Sequence, residues 1–307
     1  MRFGVTHPLM ASPCDPGLAS GAGIAAVARA AEAAGCHGFG FTDHPAPSRR
    51  WLEGGGHDAV DPFVALGFAA AHTTTLRLVP NIVVLPYRNP FLVAKAGATL
   101  DRLSEGRFTL AVGAGYLKSE FAALGVAYEE RNERFDEALE VIHLAWTSDE
   151  VTFQGRHFSA RSVAAHPRPV AEPRPPIWIG GNSSAARQRV ADHAEGWCPF
   201  PAPAVLARTA RTVAMDSVDT LATAVDDLRR RLEGAGRSPE DVDVSFSTAA
   251  GGDPGRDDFR VDEHLAGLED LAGMGVTWVQ VRLPGDSVEH AIEAVSRYGQ
   301  EVIAQMR

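Results

Sequence analysis

Strand and helix alternate along almost the whole chain, and this rhythm limits the possible folds more than any single motif does. Phe3-Gly4-Val5-Thr6 reads as a short strand ended by His7-Pro8, because the residue before a proline is driven out of the helical region. An alanine-rich helix over 23–34 comes next and stops at Gly35. The next strand, 38–42, runs into Asp43-His44-Pro45. Asp61-Pro62 then predicts a capped helix toward His72, and 76–85 a third strand. Asn89-Pro90 opens a helix to about 103, and 107–112 is a fourth strand. An amphipathic helix spans about 129–146.

The rhythm breaks at 151–175. Residues 151–158 look like a small hairpin, and the segment after them is basic and rich in proline. Regular order resumes with a strand at 176–179 and a helix over 184–193. Further strands are read at 196–200, 242–246 and 276–281, with helices over about 204–235, 262–273 and 287–305. Eight strand candidates, each followed by helix, point to an α/β chain folded as a (β/α)8 TIM barrel. On this reading 1–307 is one domain, with an insertion after helix four at about 148–175. The rival is an open doubly wound sheet. No G-x-G-x-x-G follows the first strand, which weakens the dinucleotide-binding version of that rival.

Composition narrows the partners. The chain has 29 basic and 39 acidic residues, a net charge of −10, and no long run of lysine and arginine. Nucleic acid is therefore a poor partner, whereas small anions and cofactors remain open, since a few arginines or backbone amides suffice for them. Its 3 cysteines form no C-x-x-C pair, so neither a disulfide framework nor a zinc site is indicated. No apolar run is long enough for a membrane span, and no signal core follows Met1. Cytoplasmic residence is the expectation.

In a barrel the chemistry sits in the loops after the strands. Asp43-His44 ends the second strand, where a histidine can take or give a proton; equally, the pair can cap the next segment. Trp51 nearby can wall a substrate pocket or simply pack. Asn81 is a polar side chain in an apolar strand, with Ile82 beside it; it can serve a ligand or satisfy local backbone. Arg88 is an anion partner or a solvated arginine. Gly113-Ala114-Gly115 allows close approach of a flat ligand, with Tyr116 next to it. Glu120 reads as the solvent-facing side of a short helix. Gly180-Gly181-Asn182-Ser183 joins a strand to a helix start, a place suited to phosphate or to an ordinary capped turn. The G-K-[ST] ending of an ATP-binding loop is absent, as are H-E-x-x-H and G-x-S-x-G, and no metal site is expected.

Taken together, Thr42-Asp43-His44-Pro45, residues 81–90, residues 100–115, the helix start at 131–138 and residues 176–197 resemble the bacterial luciferase-like monooxygenases, in their F420-dependent oxidoreductase branch. The last third is similar mainly in rhythm. The resemblance implies a TIM barrel with an insertion after the fourth helix, and a flavin or deazaflavin at the C-terminal ends of the strands. It implies a non-proline cis peptide at or beside Asn81–Ile82 as a backstop to the ring. Gly180, Gly181, Asn182 and Ser183 would hold the cofactor phosphate. Gly113 to Tyr116 would line the cofactor, and His44 would lie near the reactive ring, with Asp43 and Arg88 in the same binding region. Where sugar-phosphate dehydrogenases of the family place a proton-donating glutamate after strand four, the matching position in this chain is Tyr116 or a close neighbour and the nearest acid is Glu120, which argues against sugar-phosphate oxidation.

The expected activity is hydride transfer between coenzyme F420 and a small organic substrate, with His44 the leading proton carrier and Tyr116 the second. FMN with monooxygenation is the alternative cofactor and chemistry. A cofactor-free hydrolase or isomerase and a noncatalytic ligand-binding protein are the alternatives of other classes. The resemblance also implies a homodimer. Residues 151–175 can lid the mouth or pack on the outside.

Overall fold

The computed structural model describes residues 1–11 and 13–306. Its strands are β1 Arg2–Thr6, β2 Gly38–Gly40, β3 Arg77–Leu78, β4 Val83–Val84, β5 Leu110–Gly113, β6 Val151–Gln154, β7 Ser159–Val163, β8 Ile177–Gly180, β9 Gly196–Cys198, β10 Asp243–Phe246 and β11 Trp278–Arg282. Nine of them form one parallel sheet in the order β3-β2-β1-β11-β10-β9-β8-β5-β4. The two ends of that sheet meet. Leu78 bridges Phe108 in parallel, the Leu78 N–H donating to the Arg107 carbonyl at 2.9 Å, while β4 pairs with β5 on the same chain segment. Helices follow the strands, giving an α/β fold of the TIM-barrel type.

β3 and β4 are two halves of a segment that the sequence presents as one strand over 76–85. The expected continuous strand is corrected at residues 79–82, where the Asn81–Ile82 peptide is cis and the ladder is interrupted. Local chemistry sets the helix starts as expected. Asp61 accepts from the Phe63 and Val64 amides ahead of helix Pro62–Ala70. Asn89 accepts from Phe91 ahead of helix Pro90–Leu103.

The sheet interior is filled by exchanging bulk between neighbouring strands. Trp178 and Trp278 meet edge to face at 5.2 Å, packed with Val79 and Ala111. They fit because Gly196 lies beside Trp178 and Gly38 beside Trp278, where a Cβ would stand 2.3 and 3.0 Å from the respective rings. The interior below the strand C-termini is thus a packed core, and a ligand must sit above it.

The 151–175 segment is the other departure from the expected layout. The hairpin pairs β6 with β7, so its second strand starts one residue past the 151–158 reading. Val151 and Phe153 pack on Val141, Leu144 and Phe91. Asp101 accepts from the Val170 and Ala171 amides at 2.8 and 2.9 Å, and Arg168 donates to the Thr147 carbonyl. These contacts hold the segment against helices Pro90–Leu103 and Arg131–Thr147. The helices expected over 204–235 are Ala204–Thr209 and Val218–Gly234, with Ala202, ahead of the first, bridging Met215, ahead of the second.

Candidate functional site

Four loop regions converge above the strand C-termini. β2 runs out into Asp43 and His44, and the chain then forms the short helix Arg49–Glu53, capped by Ser48. This turn brings Trp51 back over His44 with ring centroids 4.5 Å apart. His57 meets His44 at 5.1 Å and Tyr116 meets it at 6.1 Å. The expected pair His44 and Tyr116 and the expected pocket residue Trp51 therefore lie in one aromatic cluster. Burial is the main cause raising the Tyr116 phenol above its usual range, helped by the Glu120 charge and opposed by a hydrogen bond to Trp51. Burial likewise lowers the His57 imidazole below its usual value.

The residue that organises this cluster reverses its sequence reading. Glu120, expected on a solvent-facing surface, is 0% exposed. Its Oε2 receives a hydrogen bond from the Tyr87 hydroxyl at 2.9 Å and lies 3.2 Å from His44 Nδ1; its Oε1 accepts from the Ala46 amide at 3.2 Å. Helix Lys118–Ala123 turns Lys118 and Ser119 outward and Glu120 and Phe121 inward. Burying a carboxylate is costly unless its oxygens are hydrogen-bonded, and here the Tyr87 hydroxyl and the Ala46 amide both donate to it. Tyr87, which no sequence pattern singles out, is pushed upward by burial and by that carboxylate.

The floor of the site is made by Ile82. A Cβ on Gly113 would lie 2.4 Å from Ile82 Cδ1, and one on Gly180 2.2 Å from the same atom. Ile82 thus crosses the ends of β5 and β8 only because both positions are glycine. Gly115 sits at φ +74°, where a Cβ would come within 2.5 Å of Val84. Ala114 lies between them, half-buried against the core. Asn81 donates to Thr6 Oγ1 at 2.7 Å, so its side chain braces β1.

Several expected ligand contacts are already taken by the protein. Arg88 donates to Asp43 at 2.8 Å and to Asp61 at 3.1 Å, and Asp43 also accepts from the Val84 amide at 2.9 Å. The expected cofactor-binding pair Asp43 and Arg88 therefore holds the exits of β2 and β4 together; the guanidinium has two carboxylates and needs no further anion. Asn182, fully buried, donates to the Phe200 and Val213 carbonyls and accepts from the Phe200 amide. Its side chain staples the loop to the segments at Phe200 and Val213. Gly181, at φ +114°, donates its amide to the Cys198 carbonyl, and Ser183 caps helix Ser184–His193 by accepting from Ala186.

Among the described residues, no helix is long and apolar enough to cross a membrane. An F420-dependent glucose-6-phosphate dehydrogenase from Nakamurella multipartita is 32% identical over 231 residues, 73% of this chain and 64% of its own length. An FMNH(2)-dependent dimethylsulfone monooxygenase from Pseudomonas putida is 33% identical over 150 residues, 47% of this chain and 41% of its own. The chain thus spans less than two thirds of the length of these relatives. A monooxygenase from Streptomyces bottropensis superimposes with a TM-score of 0.82 at 20% identity, covering 100% of both chains. Residues 1–262 match the model of the luciferase-like monooxygenases, and the chain belongs to that family.

Proposed function

We propose that the protein is an F420-dependent oxidoreductase that moves a hydride between the deazaflavin and a small organic substrate. The observation carrying this reading is the Ile82 floor. Glycines at 113 and 180 let the Ile82 side chain lie across the ends of β5 and β8, giving an apolar surface against which a flat ring can rest. The fit extends to the phosphate, for which residues 182–183 and the first turn of helix Ser184–His193 supply backbone amides and a hydroxyl. When bound, the cofactor supplies the hydride donor or acceptor. The chain's own residues do the rest. Trp51, His57 and Tyr116 wall the site and exclude water, and His44 carries the proton that accompanies hydride transfer.

Kinship with an F420-dependent dehydrogenase supports this cofactor. Kinship with an FMNH(2)-dependent monooxygenase supports the second reading, FMN with oxygen as co-substrate. Tyr116 in place of a glutamate speaks against a sugar phosphate as substrate. The reading takes 1–307 as one (β/α)8 domain with an excursion at about 148–175, working as a cytoplasmic homodimer without nucleic acid. The test is a screen of enones, imines and alcohols against protein supplied with reduced or oxidised F420, following the absorbance of the oxidised deazaflavin. Substrate-dependent change that His44→Gln removes is expected. Turnover that needs FMN and oxygen, or hydrolysis without any cofactor, would replace the reading.

A further inference from the structure

We infer that Glu120 is a positioning residue, its buried carboxylate fixing the proton of neutral His44 on Nδ1 so that Nε2 is the nitrogen that exchanges protons with the substrate. The inference rests on the proposed role of His44, but its structural half can be tested without any cofactor.

Donors and acceptors around the ring decide the tautomer. An ionised carboxylate only accepts. Glu120 Oε1 is aimed at the Ala46 amide, and Oε2 receives the Tyr87 hydroxyl at 2.9 Å with His44 Nδ1 at 3.2 Å. A bare Nδ1 there would set a lone pair against a buried carboxylate, so the neutral imidazole carries its hydrogen on Nδ1. Nε2 has no hydrogen bond among the described residues and is left as the acceptor. The titratable groups around the ring are Glu120 from helix Lys118–Ala123, Tyr116 from the preceding loop, His57 from the loop after helix Arg49–Glu53, and Tyr87 through Glu120. None of the others sits on Nδ1. Glu120 alone sets the tautomer, as the carboxylate behind a catalytic histidine does in hydrolases.

Replacement by glutamine gives a sharp contrast. In Glu120→Gln the Ala46 amide still needs an oxygen, which places the new NH2 where Oε2 stood, facing Nδ1. That group donates, so Nδ1 becomes the acceptor and the proton moves to Nε2. The experiment is long-range proton–nitrogen NMR of the full chain labelled with nitrogen-15, at about pH 9 where a histidine is neutral, with His44 assigned from the spectrum of His44→Gln. The wild type is expected to show a protonated, pyrrole-type Nδ1, and Glu120→Gln a protonated Nε2. Tyr87→Phe, which leaves the carboxylate in place, is expected to keep the wild-type pattern and so separates loosening of the loop from tautomer control. In the turnover assay Glu120→Gln should lower kcat by about 10²-fold with KM little changed. A wild-type Nε2–H tautomer, or an unchanged tautomer in Glu120→Gln, overturns the inference. Should Glu120→Gln fail to fold, the wild-type and Tyr87→Phe spectra still decide it. A correct tautomer in a protein that binds no cofactor would leave the inference about Nδ1 standing and sink only the oxidoreductase reading.

Discussion

The two ends of the strands are built on opposite principles. At the N-terminal end nearly every polar group closes a local bond. Arg107 donates to the carbonyls of Ser104, Leu76, Ala70 and Thr73, and Glu32 accepts from the amides of Thr74, Thr75 and Leu76. Arg174 forks onto Glu195, which also accepts from the Ile177 amide, and Asp243 takes Arg2 and Thr277. At the C-terminal end, glycines at 113 and 180 make room for Ile82 to lie across the strand ends. Beside that floor a histidine is held by one nitrogen only. One end seals the fold, and the other carries the floor and the histidine proposed to work on a ligand. Mutations at the two ends should therefore separate stability from function.

The largest effect is expected at the open end. His44→Gln should cut turnover by about 10³-fold, roughly 4 kcal/mol of barrier, with an unchanged urea midpoint. A lost midpoint with the residual activity intact would move His44 to the structural class. Next comes the sealed end. Arg107→Ala strips partners from several backbone carbonyls and should destabilise folding by about 3 kcal/mol, measured by urea unfolding, while cofactor affinity stays as it was. Smaller still is Gly180→Ala. The added methyl strikes Ile82 Cδ1, a mobile side-chain end, so stability should fall by only about 1 kcal/mol, while F420 affinity drops about tenfold, or 1.4 kcal/mol, as Ile82 is pushed into the ring's place.

The mildest prediction concerns His7, just past the C-terminal end of β1 and buried against Phe39 and Phe41, with Nε2 on the Leu18 carbonyl. Burial pushes it down to about 4, only partly offset by that carbonyl. A folded value below the unfolded 6.5 means that the unfolded chain takes the proton first. Stability is then fully present above about 6.5 and drains away as pH falls toward 4. Melting temperatures across this window should decline in the wild type and less steeply in His7→Gln. Parallel slopes would show that other groups carry the acid sensitivity.

Most of the architecture is legible in local chemistry. Asp61-Pro62, Asn89-Pro90 and the turn before Ser184 behave as caps because a cap needs only neighbours within three residues. The break at residues 79–82 has a local signal in Pro80-Asn81, since proline cannot donate to a ladder, but only the family resemblance points to a cis bond at Asn81–Ile82. The site is legible as loops and illegible as pairs. Glu120 finds His44 across 76 residues and Tyr87 across 33, and Arg88 finds Asp43 across 45. No local pattern reports such pairings. The one local hint at Glu120 is that a two-turn helix beginning Lys-Ser must bury something, and Glu120 shares its inner side with Phe121.

The central claim is that the glycine-framed floor and the Ser183 turn hold a deazaflavin. Its most direct test is an equilibrium titration of the purified apo-protein with F420 and, separately, FMN, followed by absorbance and fluorescence. Saturable binding of F420, tighter than FMN and weakened in Gly180→Ala, is the predicted result. Failure of both to bind, or F420 binding indifferent to Gly180, would contradict the account.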